Sequence, residues 1–431
     1  MKKILIISIA IACFLLAMTF QGCNEEPTEI GYSLKLDTIE LHPLSSMDTT
    51  LITSAVNEYH RPDYMKFDAF LCGKYMETKA YAFIVHTNVP DTLGDLTEAN
   101  ILSAKIRFPL NRYVYGDSTQ NPSALSFKVY RVLKYWTSAV TIDSIGEDLM
   151  SSGYIDPFPL AEFSGPIEQK DSMGTIEIEL NKGIIADWMR YQSQIAGGDS
   201  SEVKYGLAIV PDESSTAIRQ FATETYSDST DRESQIIYEY KIDMASDETF
   251  VDTLLSGFSK SFVNATKLDD SQLMSQGGVH LVSRMTFDMS MIPHLAGIHR
   301  ARLTMYLDKE NSSWGNDGLD SLLACNLLVI DSLDKGDVYY KSFDAALYID
   351  SLNAYNFNDV APFIRYWDRD TEHSNIDPEK KRCIVDVMPY FEKDLDYQTD
   401  RMIFYGLNHP DINLRPRLTV IYSTRPELNQ K

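Results

Sequence analysis

The chain has 431 residues, 62 of them acidic and 39 basic, and its formal net charge at pH 7 is −23. A chain this acidic is repelled as a whole by nucleic acid and by anionic lipid head groups, which excludes a nucleic-acid-binding function. Only three cysteines, Cys72, Cys325 and Cys383, follow position 23; this number and spacing exclude a disulfide scaffold and a zinc site. They leave open either one Cys325–Cys383 bridge or buried thiols.

The first 22 residues have the pattern of a signal peptide. Lys2 and Lys3 precede an apolar run from Ile4 to Phe20 that is too short for a comfortable membrane span. The run ends in Phe20-Gln21-Gly22-Cys23, which resembles a bacterial lipobox with Cys23 as the lipid acceptor. We therefore expect an outer-membrane lipoprotein that faces the cell exterior. An ordinary signal peptide with an incidental cysteine is the alternative, and a periplasmic orientation also stays open.

Residues 23–48 are expected to form a flexible tether and lead-in. The segment from Glu25 to Glu29 is charged and has no apolar periodicity, so it cannot bury enough surface to order itself. Acidic residues straight after the lipid cysteine also resemble the signals that direct some lipoproteins to the outer face of the cell.

The rest of the chain contains an internal repeat. Residues 101–110 resemble residues 298–307 at an offset of 197 (298 − 101), and residues 204–207 resemble residues 404–407 at an offset of 200 (404 − 204). Two copies indicate a duplicated domain rather than a solenoid. We place the copies at 49–243 and 244–424, with a C-terminal tail at 425–431. A fragment of residues 250–424 is then expected to fold alone.

Each copy has the pattern of an all-β domain. Alternation of apolar and polar residues, or enrichment in β-branched and aromatic residues, predicts strands at 105–108, 175–180 and 417–422. One short helix is predicted in the first copy, where Ile184, Ile185, Trp188 and Met189 share a face after the potential cap Asn181. The fold class is therefore two tandem jelly-roll-like β-sandwiches.

Several short motifs resemble DNRLRE-type domains. They are Val129-Tyr130-Arg131-Val132, Trp136-Thr137, Val140-Thr141, Trp188, Tyr205-Gly206-Leu207, Tyr405-Gly406-Leu407 and the closing run Arg415–Tyr422. The second copy lacks the Trp136 run, and the first ends without the Pro-Arg-Leu. The resemblance covers roughly residues 65–423 and implies secreted jelly-roll sandwiches, some of which bind polysaccharide. The whole chain also resembles a Gram-negative lipoprotein family of unknown function.

No set of residues points strongly to catalysis. Tyr115-Gly116-Asp117-Ser118-Thr119 resembles the nucleophile block of GDSL-type esterases, and Asp370 to His373 supplies a matching D-x-x-H. Those esterases need an α/β/α sandwich, and here the serine and histidine belong to different repeats, so a hairpin turn is the favoured interpretation. We predict no enzyme. The alternative is a polysaccharide hydrolase or lyase whose carboxylates the sequence does not single out.

The sequence also gives little indication of a metal or cofactor site. The eight histidines show no ligand spacing, and His294 and His299 flank a glycine-containing loop. Asp-rich loops at 227–231 and 367–370 make structural calcium possible but unsupported, because neither has the spacing of a known calcium loop.

Binding through loops is the remaining class of function. Trp136 and Trp188 lie in apolar patterns and are predicted to be core residues, whereas Trp314 lies in the polar turn 311–318. Tyr113 and Tyr115 precede the equivalent turn of the first copy. Loops at sandwich ends often carry binding residues, so Tyr113, Tyr115, Trp314, Asn316 and Asp317 are the predicted ligand-binding residues. The expected ligand is a glycan or another surface lipoprotein. The N-terminal lipid is expected to anchor the protein to the membrane.

Overall fold

Antiparallel strands dominate the chain, as the alternation of its residues predicts. The computed structural model describes residues 40–59, 69–116, 123–137, 140–146, 148–167, 174–196, 206–223, 233–269, 271–279, 281–293, 296–319, 322–330, 338–365, 383–390 and 398–424. The strands of the N-terminal half are β1 (Glu40–Ser45), β2 (Ile52–Tyr59), β3 (Ala69–Tyr75), β4 (Thr78–Thr87), β5 (Ile101–Gly116), β6 (Ser123–Val132), β7 (Ile155–Ile167), β8 (Thr175–Glu179), β9 (Gly206–Pro211), β10 (Ala217–Ala222) and β11 (Gln235–Tyr240).

The C-terminal half repeats this organisation. Its strands are β12 (Phe250–Ala265), β13 (Gln272–Gln276), β14 (Leu281–Phe287), β15 (Gly297–Tyr306), β16 (Leu322–Ile330), β17 (Val338–Ile349), β18 (Ala354–Phe357), β19 (Cys383–Pro389), β20 (Arg401–Tyr405) and β21 (Arg417–Thr424). The helices are α1 (Ile142–Ile145) and α2 (Gly183–Ala196), and residues 361–365 are also helical. No helix in these ranges is long and apolar enough to cross a membrane.

The strands form two large antiparallel sheets, one for each sandwich. A 10-stranded sheet runs β12-β11-β5-β10-β3-β4-β9-β6-β7, with β8 paired to β5 and β12 paired also to β4. An 11-stranded sheet runs β1-β21-β15-β18-β17-β16-β19-β14-β13-β20, with β2 paired to β14. The predicted all-β class with large antiparallel sheets and few helices is therefore confirmed.

Each sandwich contains strands that the chain order assigns to the other copy. In the second sandwich, β1 pairs with β21 from Glu40 opposite Thr424, and β2 pairs with β14. In the first sandwich, the two halves of β12 pair in the same way with β11 and β4. Residues 40–59 therefore occupy in the second sandwich the place that residues 250–265 occupy in the first. We call these two segments the exchanged ribbons.

Sequence similarity between the ribbons supports their equivalence. Ser54-Ala-Val-Asn57 in one corresponds to Ser261-Phe-Val-Asn264 in the other. The sheets do not divide at the predicted boundaries 49 and 244, because residues 40–59 pair in the second sheet and residues 250–265 pair in the first. Alternation determines which face of a strand is buried, but it does not specify the open sheet edge with which the strand pairs.

Both sandwiches have their own apolar cores, and a helix packs against each. In the first, the Asn181 side chain accepts a hydrogen bond from the Gly183 N–H at 3.0 Å, and the helix it caps buries Trp188. In the second, Val360 to Ile364 contribute to the core in the same way. Trp136 is buried in a further layer, where it packs with Ile145, Leu149 and Ile155 on the outer face of the first sandwich. The two tryptophans are core residues, as predicted.

All three cysteines in the described body are free and buried. Cys325 lies opposite Val387 in the sheet, four positions beyond Cys383 on the same strand, so the two sulfurs do not meet. Of the two alternatives left by the sequence, the structure has buried thiols. Burial raises the pKa of the Cys383 thiol to about 12 and keeps it in its unreactive protonated form.

Candidate functional site

The predicted binding loops of the two copies meet each other between the sandwiches. The Asn316 N–H donates to the Val114 carbonyl at 2.9 Å, and the Val114 N–H donates to Asn316 Oδ1 at 2.9 Å. The Asn316 Nδ2 also donates to the Arg112 carbonyl at 2.9 Å. We call the contact of residues 112–116 with residues 312–317 and 398–401 the seam. Asn316 was predicted to hold ligand, but its amide instead fixes the loop to β5.

Tyr113 is a central residue of the seam. Its side chain is 3% exposed, and its hydroxyl donates to Asp400 Oδ1 at 2.7 Å while accepting from the Thr399 N–H at 2.7 Å. Burial, followed by the negative charge of Asp400, raises the pKa of Tyr113 well above its ordinary value. The phenol therefore stays neutral and serves as a buried hydrogen-bonding group that joins the two copies.

Tyr115 is buried beside it. The side chain is 0% exposed, and its hydroxyl lies 2.5 Å from Ser313 Oγ of the second copy. Burial raises the pKa of Tyr115 to about 12. Both tyrosines pack in an apolar cluster that includes Ile218, Met274 and Ile403. Both tyrosines were predicted to face a ligand, but both side chains are buried where the two copies meet.

Close approach of the two backbones requires a glycine at position 315. A Cβ there would lie 2.6 Å from Tyr113 Cε2 and 2.7 Å from the Val114 carbonyl oxygen, which no side chain tolerates. The Gly315 N–H also donates to Asp400 Oδ1 at 2.9 Å. Asp400 is thus a buried acceptor that receives hydrogen bonds from both loops.

The outer side of the seam retains an accessible aromatic residue. Trp314 is half-buried, and no aromatic ring in the described ranges stacks on its indole. Asp317 is exposed, and one of its oxygens lies 3.5 Å from Gln398 Nε2. A partly exposed tryptophan and an exposed carboxylate therefore lie in one turn of the seam. Such a pair can stack on a ring and accept its hydroxyl hydrogen bonds.

The seam also contains residues that the sequence did not single out. Ser313, Thr399 and Asp400 gain their roles only from contact between the copies. Gly315, next to Trp314, was the one sequence signal that could have indicated the contact between the copies. A glycine often marks a position where another backbone approaches closely. Nothing in the sequence around Asp400 distinguishes it from the other acids.

Some predicted positions lie outside the described residues. These are the lipidation site Cys23, the esterase-like Asp117, Ser118 and Thr119, the Asp370–His373 run, and His294. His299 is described, and its Nε2 lies 2.7 Å from Ser423 Oγ. Across the described ranges, no three histidine, cysteine, aspartate or glutamate side chains are grouped as metal ligands would be.

Comparison with known proteins identifies no family. No family model matches the chain, and no curated protein matches it. Among solved structures, the N-terminal CBM22-1–CBM22-2 tandem domain of Xyn10C from Paenibacillus barcinonensis aligns over 90% of this chain and 98% of that chain. The two are 9% identical and the TM-score is 0.12, so this similarity carries no argument about function. Functional conclusions depend on the residues of the seam and of the sheet faces.

Proposed function

We propose that the protein is a lipid-anchored, non-catalytic binding protein of the outer membrane. Its ligand is a surface glycan, which it holds at the rim of the seam through Trp314 and Asp317. The observation that carries the proposal is the partly exposed Trp314, which has no aromatic ring stacked on it among the described residues and lies three positions before the exposed Asp317 in the same turn. Glycans are bound in this way, with a sugar ring against a flat aromatic face and its hydroxyls on polar groups.

The rigidity of the loop supports this assignment. Trp314 lies between Ser313, which pairs with Arg401, and Gly315, which is fixed to Asp400. A side chain whose backbone is already ordered loses less conformational entropy on binding than one in a free loop. The seam therefore holds the backbone of Trp314 in place without the ligand.

Replacement of Trp314 by alanine tests this function. We expect Trp314→Ala to weaken binding of a glycan identified on an array by roughly 1–3 kcal/mol, since a large aromatic contact is lost. Its melting temperature should stay near that of the parent, because Trp314 belongs to none of the described apolar core clusters. Titration calorimetry and thermal unfolding measure the two effects.

Tyr135→Ala is the matched control, because Tyr135 is an aromatic residue 59% exposed elsewhere on the first sandwich. It should bind like the parent protein. Equal weakening by both variants, or a large fall in melting temperature for Trp314→Ala, would contradict the proposed site. If the protein captured another surface protein and bound no glycan, the ligand would be that protein and the glycan assignment would be wrong.

Anchoring through Cys23 is the second part of the proposal. It is supported by the apolar run and the lipobox-like residues 20–23. Because β1 begins at Glu40 and belongs to the second sandwich, such an anchor would hold the molecule by its second sandwich rather than its first.

Loss of the acceptor thiol tests the anchor. Cys23→Ser is expected to release the protein from the membrane fraction, because lipid addition needs the cysteine sulfur. Fractionation of cells with immunoblotting measures the distribution, and Cys72→Ser, which changes a buried thiol of the body, is the control. Retention of the Cys23→Ser protein in the membrane would show that something else holds it there.

A further inference from the structure

The outer face of the second sandwich is rich in arginine. On β15, Ala301, Leu303 and Met305 face the core, so Arg302, Thr304 and Tyr306 face outward. On β21, Leu418 and Val420 face the core, and the register places Arg417 opposite Thr304 and Thr419 opposite Arg302. The residues that point away from the core, which we call the arginine face, are Arg300, Arg302, Thr304, Tyr306, Arg417, Thr419, Ile421, Asn356, Leu41, Pro43 and Leu347. Within this face Thr304 and Asn356 are themselves buried, and the Thr304 hydroxyl donates to Asn356 Oδ1.

The arginine face carries positive charge without matching carboxylates. No acidic residue occurs among its outward positions, and no described carboxylate lies within ion-pair distance of Arg300, Arg302 or Arg417. The Nε atoms of Arg302 and Arg417 are buried and have no hydrogen-bond partner in the described ranges. The Arg417 guanidinium lies over the Tyr306 ring, 5.9 Å from its centroid. In a chain of net charge −23, an uncompensated cluster of this kind indicates an anionic partner.

The first sandwich provides an internal comparison at the same place. There the outward cations of β5 are neutralised by β8: Lys105 Nζ lies 3.2 Å from Glu179 and Arg107 Nε lies 3.3 Å from Glu177. Lys105 corresponds to Arg302 at the repeat offset of 197 (302 − 105).

In the second copy, the strand that replaces β8 carries no charge at these positions. Asn356 lies opposite Thr304, and Asn358 follows two residues later. The two copies therefore share the fold of this face, but only the first carries acidic residues opposite its outward cations.

Apolar side chains flank the arginines on both sides. Leu41 on β1 and Leu347 on β17 are each 60% exposed and point outward, since their sheet partners are the outward Ser423 and Asn356. In addition, β1 is the strand that continues directly from the N-terminal residues. This face thus combines arginines with exposed leucines and lies next to the strand that follows the N-terminal residues. Such a combination is expected of a surface that contacts lipid head groups.

We propose that the arginine face docks onto the anionic head groups of the membrane that holds the protein. The inference uses the proposed anchor only to place the protein near a membrane. The overall negative charge does not prevent docking, because charges that lie more than a Debye length of about 8 Å from the arginine face are screened. Each arginine contributes about a fivefold gain in partition, and Leu41 and Leu347 enter the head-group layer.

Vesicle binding by the unlipidated mature chain, residues 23–431, tests the proposal. We expect it to sediment with phosphatidylcholine vesicles that contain phosphatidylglycerol, but not with phosphatidylcholine alone, and to be released by salt. Arg302→Gln with Arg417→Gln should reduce this partition by about 25-fold. Lys105→Gln with Arg107→Gln makes the same change in net charge on the first sandwich and should leave the partition unchanged. Leu41→Asn with Leu347→Asn should also weaken binding, without removing its salt dependence.

Equal sedimentation with neutral vesicles would overturn the proposal, as would an arginine variant that binds like the parent protein. Binding of a soluble polyuronate at the arginine face, with no vesicle binding, would overturn it as well and assign the face to an acidic glycan. Binding of the array glycan at Trp314 is measured separately, so failure of this inference and failure of the proposed function are distinguishable.

Discussion

A fragment of residues 250–424, which the sequence alone predicted to fold, is expected from the strand pairing not to fold, although it contains every strand from β12 to β21. It lacks β1 and β2, so β21 and β14 lose their neighbouring strands, and the second core loses Leu51, Ile52 and Ala55. It also carries β12, whose partners β4 and β11 are absent. Each large apolar side chain removed from the core costs about 2–5 kcal/mol, so the loss of Leu51 and Ile52 alone is comparable with the usual stability of a domain.

A rearranged fragment provides the matched control. Because Glu40 lies opposite Thr424, a short glycine-containing turn can join the end of β21 to the start of β1. The order 272–424, turn, 40–59 then supplies both missing strands and leaves out β12. We expect this permuted fragment to unfold cooperatively in urea and the 250–424 fragment to show no cooperative transition, with circular dichroism as the measurement. A cooperative 250–424 fragment would mean that the exchanged ribbons are dispensable.

Protonation of His86 is expected to destabilise the first sandwich in mild acid. His86 is fully buried on β4, its ring is stacked on Trp188 with centroids 5.9 Å apart, and neither ring nitrogen has a hydrogen-bond partner among the described residues. Burial lowers the pKa of His86 to about 3 from its ordinary value of 6.5.

The sign of the effect follows from proton uptake. Between pH 6.5 and pH 3 the unfolded chain binds a proton at His86 and the folded chain does not, so stability is full above pH 6.5 and falls as the pH decreases. The slope from this one group is about 1.4 kcal/mol per pH unit. We therefore expect His86 to account for a loss of roughly 2–3 kcal/mol between pH 6.5 and pH 4.5.

Comparison with a variant isolates this contribution from that of the carboxylates. His86→Leu should remove the acid-dependent loss and leave a buried apolar side chain against Trp188, whereas the exposed His299→Gln should leave the loss unchanged. Urea unfolding can be followed by fluorescence of Trp136 and Trp188, which both lie in the first sandwich. If the free energy of unfolding had the same pH dependence in His86→Leu and in the parent protein, the prediction would be wrong. The charged imidazolium would then have a hydrogen-bond acceptor in the folded protein.

The local and repeated features of this protein were predictable from sequence because they depend on near neighbours. Alternation along strands such as β21 predicted which side chains are buried, and the spacing of Ile184 to Met189 predicted the helix that packs on the first core. The apolar settings of Trp136 and Trp188 predicted core residues. Duplication was visible because the two copies retain similar residues at nearly constant offsets.

Only the tertiary structure decided how the copies combine. A strand with one apolar face can pair with any open edge that offers a complementary face, so nothing in residues 40–59 specified the second sandwich rather than the first. The burial of Tyr113 and Tyr115 was also not predictable, because it depends on contact between the two copies and not on the residues next to them in the sequence. The same is true of the arginine face, since charge pairing depends on the residue opposite in the sheet: Glu177 and Glu179 in one copy, and neutral asparagine in the other. Register is a property of paired strands, and therefore it was not readable from either strand alone.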